Sequence, residues 1–161
     1  MTALTKGDAA PTFTLLDADK KPVTPADYAN SHVILYFFPA AMTPGCTIEA
    51  IDFGAALDDF TAAGYHIIGV SPDTPEKLAR FRDKESIKFT LLSDPDKEVI
   101  KAYDAYGSKV LYGKRVEGVI RTTFVIDVDP QGKATITEAQ YNVRASGHVQ
   151  RLRKDLGLDK P

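Results

Sequence analysis

The sequence contains a single cysteine, Cys46, and no tryptophan among its 161 residues. One cysteine excludes an internal disulfide framework and a Cys-x-x-Cys redox pair. The three histidines, His32, His66 and His148, are scattered and form no zinc-binding spacing with that cysteine. We therefore expect neither a disulfide-stabilised fold nor a bound metal ion.

The sequence also lacks an excess of charge of one sign and a long hydrophobic run. Lys and Arg number 20 against 22 Asp and Glu, so the net charge is −2. This balance offers no basic surface to nucleic acid or to an anionic membrane. The apolar run Val33 to Phe38 is too short to cross a bilayer, and Met1 to Lys6 lacks the apolar core of a signal peptide. We therefore expect a cytoplasmic protein that binds neither nucleic acid nor membranes.

The composition that is present is typical of an ordinary globular domain. Hydrophobic residues make up 43% and charged residues 26% of the chain, and 161 residues suffice for one core. Apolar β-branched runs predict strands over 33–38, 66–71, 89–92, 122–127 and 134–141. Helical spacing and end signals predict helices over 47–63, 74–85, 95–103 and 147–156. The polar segment 105–118 is expected to be irregular, and the alternation of elements indicates a three-layer α/β domain.

The turn Thr43 to Thr47 carries the strongest chemical signal, because it joins a buried strand to the next predicted helix. Backbone amides at a helix start are unpaired and positively polarised, so a thiol there ionises more readily. Pro44 fixes its φ angle, Gly45 permits close approach of a ligand, and the Thr43 hydroxyl can donate to a ligand or accept from the helix start. A lone cysteine is more often a small buried hydrophobe, but this position favours a nucleophile.

Two charged residues are candidates for the surroundings of Cys46. Arg121 precedes the predicted strand 122–127, where most arginines are solvated charges. In a thioredoxin-like sheet, however, that strand neighbours the one leading to Cys46, so the guanidinium could face the sulfur. Glu49 could either stabilise the helix start by its charge or orient a nearby arginine. Either Tyr36 or Phe38 could line the site from the strand end.

These residues resemble the active-site signature of Q-type peroxiredoxins, the bacterioferritin-comigratory class. The strongest block is Thr43-Pro44-Gly45-Cys46-Thr47-x-Glu49-Ala50. Further matching blocks occur in order along nearly the whole chain, at 37–39, 52–53, 69–73, 91–96, 112–114, 118–127 and 141–148.

The resemblance implies the peroxiredoxin variant of the thioredoxin-like fold, with a central mixed β-sheet flanked by helices in one domain over 1–161. It implies a thiol peroxidase that needs no cofactor. Cys46 would attack the hydroperoxide and become a sulfenic acid, with Thr43 and Arg121 completing the catalytic group. The surrounding pocket would be formed by Phe38, Pro39, Pro44, Gly45 and Glu49.

The sequence departs from the resembled family at Ile51, where many members carry a resolving cysteine. Because no second cysteine exists, a sulfenic acid at Cys46 cannot close an intramolecular disulfide. The second thiol must come from thioredoxin, from a glutaredoxin- or mycoredoxin-like protein, or from a low-molecular-weight thiol. We also expect a monomer, as in many Q-type relatives, and expect Ile51 to hold the Cys46 helix folded.

Two other hypotheses remain open at this point. The chain could be a peroxide sensor that relays oxidation to a partner through its sulfenic acid. It could also be a non-catalytic thioredoxin-like binding module. The presence of Thr43, Cys46 and Arg121 together argues against the binding module, which has no need of all three.

Overall fold

The computed structural model describes residues 4–111 and 113–157, and Tyr112 of the matching block 112–114 therefore lies outside the described residues. The strands are β1 (Leu15–Asp17), β2 (Pro22–Val23), β3 (Ser31–Phe37), β4 (Tyr65–Ser71), β5 (Thr90–Ser93), β6 (Tyr106–Leu111), β7 (Lys114–Val119), β8 (Thr122–Val128) and β9 (Ala134–Gln140). The α-helices are α1 (Pro44–Ala62), α2 (Pro75–Glu85), α3 (Glu98–Ala102) and α4 (His148–Asp155), and a short 3-10 helix spans Pro25–Tyr28.

Seven of the strands form one mixed sheet in the order β2-β1-β5-β4-β3-β8-β9. Strands β3, β4 and β5 are parallel, whereas β8 runs antiparallel to β3 and β9 antiparallel to β8. Helices α1, α2 and α4 pack on one face, and α3 with the 3-10 helix packs on the other. The expected α/β fold, a mixed sheet flanked by helices, is confirmed.

The central strand β3 is apolar from Val33 onward, because helices cover both faces of the sheet there. Its residues Val33 to Phe37 are all buried, as is usual for a strand enclosed on both sides. Alternate side chains point to opposite faces. Ile34 and Tyr36 therefore join the core beneath α1, while Leu35 and Phe37 join the core on the far side.

Helix α1 begins at Pro44, three residues earlier than the sequence predicted. Proline suits this first helical position, because its missing N–H would have no intrahelical partner anyway. Cys46 consequently lies inside the first turn of the helix. Ile51 is 50% exposed, so the prediction that its packing holds this helix folded is wrong. The buried side chains of Phe53 and Phe60 form part of the apolar face of α1 instead.

The segment 105–118 is not irregular, and that prediction was wrong. It contains the antiparallel pair β6 and β7, which forms a separate two-stranded sheet. Half of the residues of β7 are exposed, and Val119 is the buried one. The hairpin has no continuous buried face. Its sequence therefore lacks the alternation of apolar and polar residues by which a strand is recognised. Gly113, in the connection, has a φ of 78°, which glycine adopts without strain.

Within the described residues, no helix combines the length and apolar character needed to span a membrane.

Gly69 of β4 lies beneath the ring of Tyr36, and the fit leaves no space for a side chain. A Cβ atom there would be 2.9 Å from Cζ and 3.0 Å from Oη of Tyr36. We expect Gly69→Ala to lower the free energy of unfolding by about 1–3 kcal/mol, the usual cost of overpacking a core. Urea unfolding followed by circular dichroism measures this loss.

Gly54→Ala is the matched control. Gly54 lies within α1, and no atom would lie within 4 Å of its added Cβ. Alanine is favoured over glycine in a helix interior by about 0.5–1 kcal/mol, so this variant should be stabilised. Equal effects of the two substitutions would contradict the close packing of Tyr36 on Gly69.

Candidate active site

The sulfur of Cys46 lies in the first turn of α1, where backbone N–H groups have no intrahelical acceptor. Thr43 is the N-cap residue, with φ −87° and ψ 156°, and its carbonyl accepts the first helical hydrogen bond from Thr47 N–H at 2.9 Å. The partly positive helix start therefore surrounds the sulfur. Cys46 is only 2% exposed, so its side chain has little direct contact with solvent.

Arg121, the residue immediately before β8, reaches the sulfur from that end of the sheet. The antiparallel register pairs Thr122 with Phe37, which places Arg121 beside the end of β3 and next to the start of α1. Its Nη2 donates to Cys46 Sγ at 3.4 Å, and its Nη1 donates to Glu49 Oε1 at 2.5 Å. The predicted approach of Arg121 to the cysteine is thus present in the structure.

Glu49 is fully buried and forms an ion pair with Arg121. Of the two roles considered from sequence, the contact with an arginine is the one observed. Burial raises the pKa of the Glu49 carboxyl to about 7, although the adjacent Arg121 cation opposes the shift. Oε2 has no hydrogen-bond partner among the described residues, which adds to the cost of the ionised form. Glu49 therefore titrates near neutral pH.

The pKa values of Arg121 and its neighbour His148 shift in opposite directions in the same environment. Burial lowers the pKa of Arg121, but Glu49 and Cys46 more than offset this effect and the net shift is upward. Burial, together with the Arg121 cation, lowers the pKa of His148 to about 4. Its Nε2 lies 2.8 Å from Thr123 Oγ1. His148 is therefore a neutral hydrogen-bonding group, and it adds no repulsion to the guanidinium.

Gly45 is required by the close approach of Arg121. A Cβ atom there would lie 3.2 Å from Arg121 Nη2 and 3.6 Å from Ala145 Cβ. The absent side chain therefore makes room for the guanidinium, rather than only for a ligand as the sequence suggested.

Among the described residues, the other predicted site residues form no hydrogen bond with the Cys46 sulfur. The exposed Thr43 hydroxyl donates to Ala40 O at 2.7 Å and makes no hydrogen bond to the helix start. Pro44 is exposed and Pro39 is half-buried, at the two ends of the same loop. Phe38 is buried in the core cluster that includes Cys46, with its ring 5.5 Å from that of Tyr36.

Sequence reasoning missed Asp73 as a site residue, although it lay within a matched block. Its Oδ2 accepts a hydrogen bond from Ala41 N–H at 2.6 Å, so it contacts the loop that leads into α1. The signal was available, because Asp73 follows β4 and the carboxyl ends of neighbouring parallel strands share one edge of a sheet.

The arrangement can stabilise negative charge at and near a sulfur atom. The guanidinium, the helix start and the unpaired amides all present positive potential to Cys46. Preorganised donors of this kind can stabilise an oxyanion that develops beside the sulfur.

Comparison with known proteins agrees with this geometry. The model of the AhpC/TSA family matches residues 6–133. A protein of Mycobacterium tuberculosis strain H37Rv that bears a provisional peroxiredoxin name is 59% identical over 157 residues, which cover 98% of each chain. Peroxiredoxin Bcp of Escherichia coli K12 is 43% identical over 129 residues, 80% of this chain and 83% of that protein.

A solved structure supports the same grouping at the level of fold. The bacterioferritin comigratory protein of Xanthomonas campestris, studied for its alkyl peroxide reduction activity, has a TM-score of 0.83 and 32% identity. The alignment covers 97% of this chain and 98% of that one. The chain therefore belongs to the AhpC/TSA family of thiol peroxidases, as a one-cysteine member of its Q-type, bacterioferritin-comigratory peroxiredoxins.

Proposed function

We propose that Cys46 reduces hydrogen peroxide and organic hydroperoxides to water and alcohols. The observation that carries this proposal is the contact of Arg121 Nη2 with Cys46 Sγ at 3.4 Å, inside the first turn of a helix. A partly buried cation and the partly positive start of a helix both face the sulfur, where they can stabilise negative charge that develops during attack on a peroxide. Family membership supports the same peroxidase chemistry.

In the proposed step, the Cys46 thiolate attacks the terminal oxygen of the hydroperoxide. The S–O bond forms as the O–O bond breaks, so the sulfur is oxidised to sulfenic acid and the peroxide is reduced. The departing alkoxide or hydroxide takes a proton from solvent and leaves as alcohol or water. Arg121 and the amides of the first helical turn would stabilise the negative charge that develops on the oxygens.

We assign supporting roles to six other residues around Cys46. The Thr43 hydroxyl retains acceptor capacity for a peroxide hydrogen while it donates to Ala40 O. Glu49 orients the guanidinium through their ion pair, and Gly45 leaves it room. Pro44 would shield the sulfur from the solvent side. Phe38 and Pro39 complete the proposed pocket wall.

Regeneration of Cys46 requires an external thiol, because the chain has no second cysteine. The first thiol condenses with the sulfenic acid and releases water, which gives a mixed disulfide. A second thiol then attacks this disulfide and restores Cys46. Thioredoxin, a glutaredoxin- or mycoredoxin-like protein, or a low-molecular-weight thiol would supply these groups.

We further propose that the chain acts as a cytoplasmic monomer with one thioredoxin-like domain over 1–161. A catalytic cysteine without a disulfide partner suits a reducing compartment. Both apolar cores draw residues from early and late parts of the chain, which supports a single folding unit. Sedimentation equilibrium at micromolar concentration tests the oligomeric state, and a stable dimer there would refute this assignment.

The first test of the proposed function is stopped-flow reduction of hydrogen peroxide by the pre-reduced protein. We expect a second-order rate constant above about 10⁴ M⁻¹s⁻¹, lost in Cys46→Ser. Arg121→Ala should lower this constant by about 10²–10³-fold, as when an oxyanion donor is removed. Arg121→Lys should recover part of it, because a lysine keeps the charge but loses the two-sided contact.

Arg153→Ala is the matched control for the arginine variant. Arg153 pairs with Asp59 near the opposite end of α1 at 2.7 Å, so its loss should leave peroxide reduction intact. A wild-type rate equal to that of a free thiol would refute the peroxidase assignment.

A second test uses the titration of Glu49. Its raised pKa means that the folded protein binds this proton more tightly than the unfolded chain does. The wild type should therefore become more stable relative to Glu49→Gln as pH falls from about 7 to the unfolded value of 4.5. The slope should approach about 1.4 kcal/mol per pH unit. Urea unfolding at several pH values measures the difference.

The opposite trend would contradict this assignment. If the wild type gained stability over Glu49→Gln as pH rose, the effect of the Arg121 cation on the pKa of Glu49 would be larger than the effect of burial. Glu49 would then be ionised throughout the neutral range.

A third test follows turnover with peroxide in excess. Without added thiol, each chain should consume one peroxide and then stop, or proceed to sulfinic acid. An effective external thiol should restore multiple turnovers, which a coupled peroxide assay measures for each class of reductant. Many turnovers without any thiol would contradict the one-cysteine cycle.

The relay hypothesis makes a different prediction for the same assay. The lone cysteine leaves a sulfenic acid open to a partner's thiol. A protein that formed a mixed disulfide with one partner, but supported no fast turnover with any reductant, would be a sensor rather than a peroxidase.

A further inference from the structure

The loop between β3 and α1 is held by a side chain from the next parallel strand. Ala41 N–H in this loop donates to Asp73 Oδ2 at 2.6 Å. Asp73 follows β4, which pairs in parallel with β3, so the carboxyl ends of both strands meet at this edge of the sheet. The contact therefore joins the segment before Cys46 to the segment after β4.

Asp73 is itself fixed by several partners. Ser71 Oγ donates to the same Oδ2 at 2.8 Å, and Lys77 Nζ lies 3.2 Å from Oδ1. Ser93 Oγ donates to the Asp73 carbonyl at 2.6 Å, which ties the residue to the end of β5. The carboxylate side chain is 8% exposed. A rigid anchor is thus available to the loop.

The loop needs such an anchor because its backbone is unusual. Met42 has a φ of 68°, in the left-handed region that residues other than glycine seldom adopt. Backbone of this kind persists when the surrounding structure holds it in place. Among the described residues, Asp73 is the side chain from outside the loop that hydrogen-bonds to it, and Thr43 supplies the internal bond to Ala40 O.

We propose that Asp73 is a positioning residue for Cys46, and this inference rests on the proposed peroxidase function. By holding Ala41, it fixes the left-handed turn at Met42 and so the place where α1 begins. The first turn of α1 carries the sulfur, whose 3.4 Å contact with Arg121 depends on where that turn lies against β8. Asp73 touches neither the sulfur nor the peroxide and acts only through the loop.

Asp73→Ala should slow oxidation of Cys46 by hydrogen peroxide by about 10²-fold, the scale on which small misplacement of a reacting group affects rate. Asp73→Asn should recover most of the rate, because its side-chain oxygen still accepts from Ala41 N–H and Ser71 Oγ. Stopped-flow oxidation measures both variants.

A second readout separates positioning from a loss of folding. Alkylation of Cys46 by iodoacetamide develops no negative charge on a peroxide oxygen, so it depends less on Arg121 than peroxide reduction does, and looser packing would accelerate it. We therefore expect the ratio of the peroxide rate to the alkylation rate to fall in Asp73→Ala and to be restored in Asp73→Asn.

Asp94→Ala is the matched control. Asp94 is also buried at the end of a parallel strand, and its Oδ2 accepts from Ile100 N–H at 2.8 Å, on the side of α3. This variant should be destabilised without a fall in the peroxide-to-alkylation ratio. If Asp73→Ala lowered that ratio no more than Asp94→Ala, the positioning role would be overturned while the proposed function stood. A wild-type rate equal to that of a free thiol would overturn both.

Discussion

The guanidinium of Arg121 is the group on which the geometry of the site depends. It contacts Cys46 and Glu49 together, and these two residues lie three positions apart on one face of α1. One side chain at the start of β8, from the residue just before the strand, thereby fixes the start of the helix against the sheet. The pairing of β8 with β3 brings Arg121 to this place, and the absence of a side chain at Gly45 lets it enter.

The burial of the Glu49 carboxylate beside the Cys46 sulfur is explained by its ion pair with Arg121. A buried ion pair contributes little net stability, because desolvation offsets the attraction of the charges. We interpret its value here as geometric, since the pair holds the guanidinium in a fixed plane with Nη2 directed at Cys46 Sγ. With only 15% of its side chain exposed, Arg121 would otherwise be a buried cation with a single weak partner. Because Glu49 titrates near neutral pH, the charge around the sulfur varies with pH.

The sequence predicted the parts of the structure that leave a local pattern. The buried run of β3 and a helix close to Cys46, although predicted to begin three residues too late, both followed from residue types. The approach of Arg121 instead needed the topology of a thioredoxin-like sheet. Glu49 stayed ambiguous because an acid at a helix start and a partner for arginine occupy the same position. Ile51 was misjudged, since apolar spacing alone does not show which side of a helix is covered. Asp73 was missed because its partner, Ala41, is distant in sequence and offers only a backbone N–H.

Burial of the sulfur places opposite demands on the two halves of the proposed cycle. At 2% exposure, Cys46 suits attack on a small peroxide, which gains from fixed donors and excluded water. An external thiol is larger and must reach the same sulfur in line to form a disulfide. In the proposed cycle the helix start would have to open for this thiol, and the contacts of Arg121 with Cys46 and of Ala41 with Asp73 would loosen. Contacts that favour oxidation would therefore oppose reduction, and the strength of this anchoring would set a compromise between the two rates.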